Sequence, residues 1–498
     1  MSWSSNLILL KEWQKEQAVN NLKSLYMERM DAKLFDFFKI IESYIANPAY
    51  NNGSVVKYLS PHNLHKMIDI PVKDKGEDMP SLLHYAKEYL DYSVNTGSKQ
   101  FLNQLYQGFN LPAFMGDVVT IASNTSMYTY EVAPVATEIE REMVRLMNTY
   151  TGYTKGDGIF VTGGSNANLV AMFSARNRFF PESRFEGVPR DLRLTAFISD
   201  QSHYSFENNA NVLGIGSKAV IKVKTDANGR MIPSELEREI IKSKSRGETP
   251  FFVGATCATT LLGAFDPLDQ LAEVCQRHNL WLHADGSFGG TLILSSKHKH
   301  LFNGIEKTDS FAWNPHKLMN IPLVCSVLLV KKAGTLQHNI TDINTDYIFH
   351  DIDEVEDLGK KSIQCGRRVD AVKLWFAWKF FGKEGYEKRT ENLMEMAAYS
   401  EEIVNKTPQL ELLAPRQSVT ICFRYVPKVK TDLNEFNLQI RETLRKSGKS
   451  IVNYGYIGNI LTIRLIIANG EMEKKDVNQF FENFLMVAND LEVKLNVK

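Results

Sequence analysis

The sequence predicts an α/β protein built on a seven-stranded, mostly parallel central sheet, and three observations lead there. Seven short β-rich runs follow one another from Gly158 onward, each separated from the next by a helix-length segment. Upstream, helical periodicity dominates and no strong strand pattern interrupts it. Downstream of about residue 376, helix and strand patterns are interleaved. The changes of pattern divide the chain into an N-terminal helical segment (1–116), a large domain (117–376) and a small α+β domain (377–498).

In chain order, the helical patterns of the first segment are Trp13 to Phe38 and Met79 to Val94. The β-rich runs of the large domain are Gly158–Val161, Leu194–Ser199, Ala219–Lys224, Phe251–Thr256, Leu280–Ala284, Ser310–Trp313 and Cys325–Val330. A helix pattern over Val369–Phe381 leads into the last segment. There a helix (Glu391–Lys406), a strand (Val419–Tyr425), a helix (Leu433–Lys446), a strand (Asn459–Ala468) and a final helix follow. No internal repeat or low-complexity linker is present.

Composition narrows the function classes. A chain of 498 residues, 44% hydrophobic and 23% charged, can bury a large core. Lysine plus arginine equal aspartate plus glutamate at 58 each, so no global field favours nucleic acid or an anionic membrane. The apolar patch Leu7–Leu10 lacks a basic leader and a cleavage site, which argues against a secretory signal. The longest apolar run, Ile321–Val330, has ten residues and is too short to span a bilayer. Cys257, Cys275, Cys325, Cys365 and Cys422 form no CxxC pair and no metal-ligand spacing, so reduced thiols in a cytoplasmic, metal-free protein are expected.

The chemistry is concentrated in Asn314-Pro315-His316-Lys317 and in Asp285, which ends the run Trp281–Ala284 thirty-two residues earlier. A pyridoxal phosphate enzyme needs a lysine that forms a Schiff base with the cofactor aldehyde. It also needs a carboxylate that keeps the pyridine nitrogen protonated. Alone, an aspartate ending a buried strand is more often a cap or an ion pair, and a lone lysine is usually a surface residue. Together, with Asp285 at the strand edge where open parallel sheets bind ligands, Lys317 and Asp285 fit the two roles. Burial and a cationic neighbour would lower the Lys317 pKa towards the free amine. Asn314 and His316 could donate hydrogen bonds to a phosphate. Gly163-Gly164-Ser165-Asn166-Ala167-Asn168 joins a strand to a helix, and its glycines and the helix amino end suit a phosphate. His203, in Gln201-Ser202-His203-Tyr204-Ser205, also falls at a strand end and could stack on the pyridine ring.

These motifs resemble the pyridoxal-dependent group II amino acid decarboxylases. The likeness runs from about Gln100 to Ala468 through Phe101-Leu102-Asn103-Gln104-Leu105, Tyr128-Thr129-Tyr130-Glu131-Val132-Ala133-Pro134, Gly263-Ala264-Phe265-Asp266-Pro267, Trp313-Asn314-Pro315-His316-Lys317 and Ile363-Gln364-Cys365-Gly366-Arg367-Arg368. The Asn103-Gln104 pair, Gln364–Arg367 and the Asn314 motif are similar to the branch that decarboxylates glutamate, cysteine sulfinate and aspartate. The resemblance implies the aspartate-aminotransferase-like fold (PLP fold type I) and a homodimer with a shared active site. It implies Lys317 as the Schiff-base lysine, Asp285 as the pyridine partner and His203 as the stacking imidazole. Gly164, Ser165, Asn314 and His316 would hold the phosphate, with Thr260 near the ring. Arg464 would grip the substrate α-carboxylate. Tyr347 would be the mobile-loop tyrosine that reprotonates Cα, which favours decarboxylation over oxidative deamination to an aldehyde.

The chain also departs from the family pattern. Asp285-Gly286-Ser287-Phe288 replaces the usual Asp-Ala-Ala or Asp-Ala-Ser, placing the Ser287 hydroxyl where it could lie under the ring. Cys257-Ala258-Thr259-Thr260 has Ala258 where glycine is usual before the two threonines, and Leu358 and Lys360 replace threonine and aspartate. Tyr106 stands where glutamate decarboxylases tend to have serine, so a shortened pocket favours L-aspartate or cysteine sulfinate, with glutamate as a further candidate. One methylene is worth about 1–3 kcal/mol, which allows mixed specificity. Gln104 and Asn124 are candidate contacts to the distal acid, although Asn124 could equally cap a helix. Two alternatives stand beside this reading. One is a decarboxylase or aldehyde synthase acting on a non-acidic amino acid, and the other is a catalytically silent regulatory relative.

Overall fold

The computed structural model describes residues 31–46, 53–340, 347–350 and 357–496, so residues 13–30 of the helix predicted over Trp13–Phe38 lie outside it. The chain divides into two units. The first comprises residues 1–95 and 445–450, and the second 96–444 and 451–498.

The first unit contains helices α1 (31–46), α2 (Pro61–Met67) and α3 (Met79–Tyr92). Asp78 starts α3 by accepting the Ser81 amide at 3.0 Å, with Pro80 in the first turn where no amide hydrogen is needed. The predicted helix ends two residues early because Ser93 takes an extended conformation.

The second unit opens with β1 (Phe101–Leu102), α4 (Leu111–Ser123) and α5 (Pro134–Thr151). The α/β layers follow as β2 (Asp157–Val161), α6 (Gly164–Phe179), β3 (Leu194–Ser199), α7 (Ser205–Val212), β4 (Val220–Val223), α8 (Pro233–Ser245) and β5 (Thr249–Thr256). They continue as α9 (Leu268–His278), β6 (Trp281–Gly286), β7 (Ser310–Trp313), β8 (Ser326–Val330) and α10 (Thr335–Ile340). Each strand begins and ends within two residues of its predicted run.

The seven strands form one sheet in the order β2-β8-β7-β6-β5-β3-β4. Only β8 runs against its neighbours. Strands β3, β6, β7 and β8 are buried at every residue, as expected for a parallel sheet with helices on both faces. This is the predicted α/β class.

The two helices predicted at Val369–Phe381 and Glu391–Lys406 form one run, α11 (Asp370–Lys406), broken only at Gly382. Its φ of +61° and ψ of −174° are open to glycine alone at little strain. The chain ends with β9 (Leu410–Leu412), β10 (Thr420–Tyr425), α12 (Leu433–Ser447), β11 (Ile451–Ile457), β12 (Ile460–Ile466) and α13 (Lys474–Asn496). A second sheet has the order β1-β11-β12-β10-β9. Here the structure departs from expectation, since β1 lies in a segment read as helical and pairs in parallel with β11. Strand β11 was not predicted either. Asn453 and Gly455 weaken its β propensity, and only its first two residues are buried.

Among the described residues, no helix is long and apolar enough to cross a membrane.

Candidate active site

Parallel strands bring their carboxyl ends to one edge of the sheet, and the motif residues converge there. Strand β2 runs into Gly163, whose φ of +129° is a glycine conformation, and α6 starts at Gly164. Strand β6 carries Asp285 near its end. Strand β7 stops at Trp313, and a turn closed by the Lys317 amide on the Asn314 carbonyl (3.0 Å) presents Asn314, His316 and Lys317.

These ends enclose a pocket of about 220 Å3. Gly164 and Ser165 form its wall at the amino end of α6. Asp285 and Ser287 come from the end of β6, and Asn314, His316 and Lys317 from the turn after β7. His203 and Thr260 close it. All nine residues predicted to touch a cofactor are therefore neighbours.

The electrostatics follow from burial. Burial pushes the Lys317 amine down to about 8, nearby Arg464 adds to the fall, and Asp285 opposes it. Burial alone would raise the Asp285 pKa. It is outweighed by hydrogen bonds from Ser287 and Asn168 and by neighbouring His283 and Lys317, which hold the carboxyl below its usual range. The Ser287 amide donates to Asp285 Oδ1 at 3.0 Å, and Asn168 Nδ2 to Oδ2 at 2.9 Å. Burial also lowers His203, helped by Lys317 and opposed by Asp285. Its Nδ1 accepts the Ser205 amide at 3.3 Å, which leaves the proton on Nε2. His316 is pushed down to about 4 by burial and by Lys317, and its Nδ1 is anchored 2.7 Å from the Cys325 carbonyl oxygen.

Five other predicted residues, Arg464, Gln104, Tyr106, Asn124 and Tyr347, do not line this pocket. Arg464, on β12, is only 7% exposed and donates to the carbonyls of Thr260 (3.1 Å) and Asn103 (3.3 Å). Its Nε has no partner among the described residues. Thr260 belongs to the pocket wall, so Arg464 is tied to the edge of the site. Gln104 and Tyr106 are half-buried on the segment after β1, and the Tyr106 ring packs 6.2 Å from that of Phe101. Asn124 is exposed and ends α4 as a left-handed cap at φ +43°, so its capping role is the one seen within this chain. Tyr347 is 79% exposed. Its neighbour Phe349 stacks on Tyr128 at 5.1 Å.

Several residues of the site were not singled out from the sequence. Asn168 and Thr256 line the pocket, and His283 lies behind Asp285. Periodicity held the signal, because His283 and Asp285 share a face of a strand and Gly164 and Asn168 share a face of a helix. Ala258, also on the wall, has φ +73°. The position where glycine is usual therefore keeps a left-handed backbone here with a side chain present.

The pocket suits a phosphorylated pyridine aldehyde on structural grounds. Two buried polar atoms on its wall, Ser287 Oγ and Asn314 Oδ1, lack partners among the described residues. A Cβ at Gly164 would collide with Ser287 Oγ and lie 2.8 Å from Asn314 Nδ2, so the glycine preserves a cradle at the helix amino end. Lys317 and Asp285 supply an amine of lowered pKa and an ionised carboxylate in the same cavity. Among the described residues, no group of three or more His, Cys, Asp or Glu could hold a metal ion.

A fold of this type with such a pocket defines a pyridoxal phosphate enzyme of fold type I. Residues 61–426 match the model of the pyridoxal-dependent decarboxylase conserved domain, and the chain belongs to that family. It is 36% identical over 477 residues to the cysteine sulfinic acid decarboxylase of Mus musculus, covering 93% of this chain and 97% of the relative. It is 35% identical over 466 residues to the acidic amino acid decarboxylase GADL1 of Homo sapiens, covering 91% and 89%. Among solved structures, that of mouse CSAD in apo form superposes with a TM-score of 0.88 at 36% identity, over 92% of this chain and 99% of that one.

Proposed function

We propose that this protein removes the α-carboxylate of an acidic L-amino acid, with L-aspartate or cysteine sulfinate preferred over glutamate. The observation that carries the reading is the buried Lys317 amine, lowered to about 8, beside an ionised Asp285 and within reach of the Arg464 charge. The names of the cysteine sulfinic acid and acidic amino acid decarboxylases, similar over nearly the whole chain, support the substrate class.

Bound in the pocket, pyridoxal phosphate supplies the electron sink for the electrons released when the Cα–carboxylate bond breaks. In this reading Lys317 would anchor the cofactor through its aldehyde carbon. Asp285 would keep the pyridine nitrogen protonated, and His203 would stack on the ring. Gly164, Ser165, Asn314 and His316 hold the phosphate, with Ser287 Oγ and Thr260 beside the ring. Arg464 grips the α-carboxylate through donors it has not used within the chain, Nε among them. Tyr347 returns a proton to Cα. Gln104, Tyr106 and Asn124 meet the distal acid.

The exposure of Tyr347 and Asn124 accords with a homodimer in which each chain completes its partner's site. Exposed Leu111, Met115, Val119 and Ile121 on α4 and Phe380 on α11 give such a dimer an apolar surface to cover. A cytoplasmic location accords with five free cysteines, four of them buried.

The test is kcat/KM for aspartate, cysteine sulfinate and glutamate with the wild type and Tyr106→Ser. The wild type is expected to prefer the shorter acids, and the variant to shift towards glutamate by about ten- to a hundredfold, the worth of one methylene. An unchanged ranking would remove Tyr106 from the specificity argument.

A further inference from the structure

Behind Asp285 runs a closed chain of buried side chains. Trp281 Nε1 donates to Ser310 Oγ at 2.9 Å, and Ser310 Oγ lies 2.8 Å from His283 Nδ1. His283 Nε2 lies 3.0 Å from Asn168 Oδ1, and Asn168 Nδ2 donates to Asp285 Oδ2 at 2.9 Å. None of the five residues is more than 5% exposed. Their elements hold them in register, because His283 pairs with Ser310 across β6 and β7 and shares a strand face with Trp281 and Asp285. Phe206 and Phe252 flank the His283 ring at 6.1 and 5.9 Å, so it has little freedom to turn.

Donor and acceptor chemistry fixes the direction of every bond. A carboxylate only accepts, so Asn168 must turn its amide nitrogen to Asp285 and its oxygen to His283. That oxygen only accepts, so His283 carries its proton on Nε2. Burial pushes the imidazole down to about 4 against the pull of Asp285, so at neutral pH that is its single proton. Nδ1 is then an acceptor and takes the Ser310 hydroxyl hydrogen, and Ser310 in turn accepts from the Trp281 indole. All the donors point towards Asp285, and no group along the line is left unpaired.

We propose that Asn168, His283 and Ser310 are positioning residues that keep Asp285 oriented and ionised, so that it can hold a proton on the cofactor's pyridine nitrogen. The inference rests on the reading of Asp285 as the pyridine partner. A neutral, correctly tautomeric imidazole locks the Asn168 amide. The locked amide gives the carboxylate a charge-assisted hydrogen bond that needs no reorganisation when the cofactor enters. A network that only joined β6, β7 and α6 would have no reason to end on a charged group in the pocket.

The test uses the holoenzyme loaded with pyridoxal phosphate labelled with 15N in the ring. Variants are Asn168→Leu, His283→Phe, Ser310→Ala and, as a control, Asp285→Asn. The phenylalanine keeps a ring between Phe206 and Phe252 while deleting both nitrogens, and Ser310→Ala removes a single hydroxyl, so a readout survives if a larger change prevents folding. Two quantities are measured, the dissociation constant of pyridoxal phosphate and the 15N resonance of its ring. The proposal expects cofactor affinity to fall by about tenfold or more in Asn168→Leu and His283→Phe, the worth of one hydrogen bond to a charged group. It expects the 15N resonance to move towards that of the unprotonated ring, in the same direction as in Asp285→Asn and least in Ser310→Ala. If Asp285→Asn shifts the resonance and no folded network variant does, the relay is wrong and Asp285 keeps its role. If Asp285→Asn leaves the resonance unchanged, the underlying reading of Asp285 fails.

Discussion

Lys317 sits in the fold as a source of instability that the proposed chemistry requires. Its amine is held at about 8 against 10.5 for a free lysine, chiefly by burial, so the apo fold bears a penalty of about 3 kcal/mol whenever the group is charged. The unfolded chain binds the proton more tightly than the native one, so stability rises with pH between about 8 and 10.5 and the penalty is fully present below 8. Apo Lys317→Met is therefore expected to unfold at higher urea than the apo wild type at pH 7. The gap should close as the pH approaches 10.5, and urea titrations across that range check it. A lysine beside an aspartate from a strand end was legible because both stand in short motifs. Arg464 as the cationic neighbour was not, since 147 residues separate it from Lys317 and only the second sheet brings them together.

At the scale of elements, α5 and the segment before α11 are joined by a buried pair. Arg367 bonds Glu140 Oε1 at 2.5 Å and the carbonyls of Met127 (2.7 Å) and Phe160 (3.2 Å). Both side chains are almost wholly buried. Arg367→Met leaves the Glu140 carboxylate uncompensated in the interior and is expected to lower unfolding free energy by about 3–5 kcal/mol, measured by urea denaturation. The sequence marks Arg367 within a family motif, yet it cannot say whether such an arginine meets substrate or structure. The long parallel strands were easily seen, because burial on both faces writes them as unbroken apolar runs. The second sheet was half hidden: β1 has two residues, and β11 is interrupted by Asn453 and Gly455, so their pairing depends on partners far along the chain.

At the scale of the whole molecule, exposed Tyr347, which does not line the Lys317 pocket, gives the proposed dimer a direct consequence. Lys317→Ala and Tyr347→Phe should each lack amine-forming activity. Mixed and re-associated, they should recover up to about a quarter of it. A hybrid dimer then contains one site with an intact Lys317 from one chain and an intact Tyr347 from the other. Recovery measured as amine formation after subunit exchange supports a shared site, whereas none would place Tyr347 in its own chain's site. Decarboxylation of an acidic amino acid is checked by identifying the product. The pyridoxal phosphate-loaded protein would be incubated with all proteinogenic amino acids plus cysteine sulfinate and cysteate, and the mixture read by mass spectrometry. β-Alanine or hypotaurine is expected as the dominant new species, with less γ-aminobutyrate. Formation of an aldehyde, an aromatic amine or no product at all would contradict that reading.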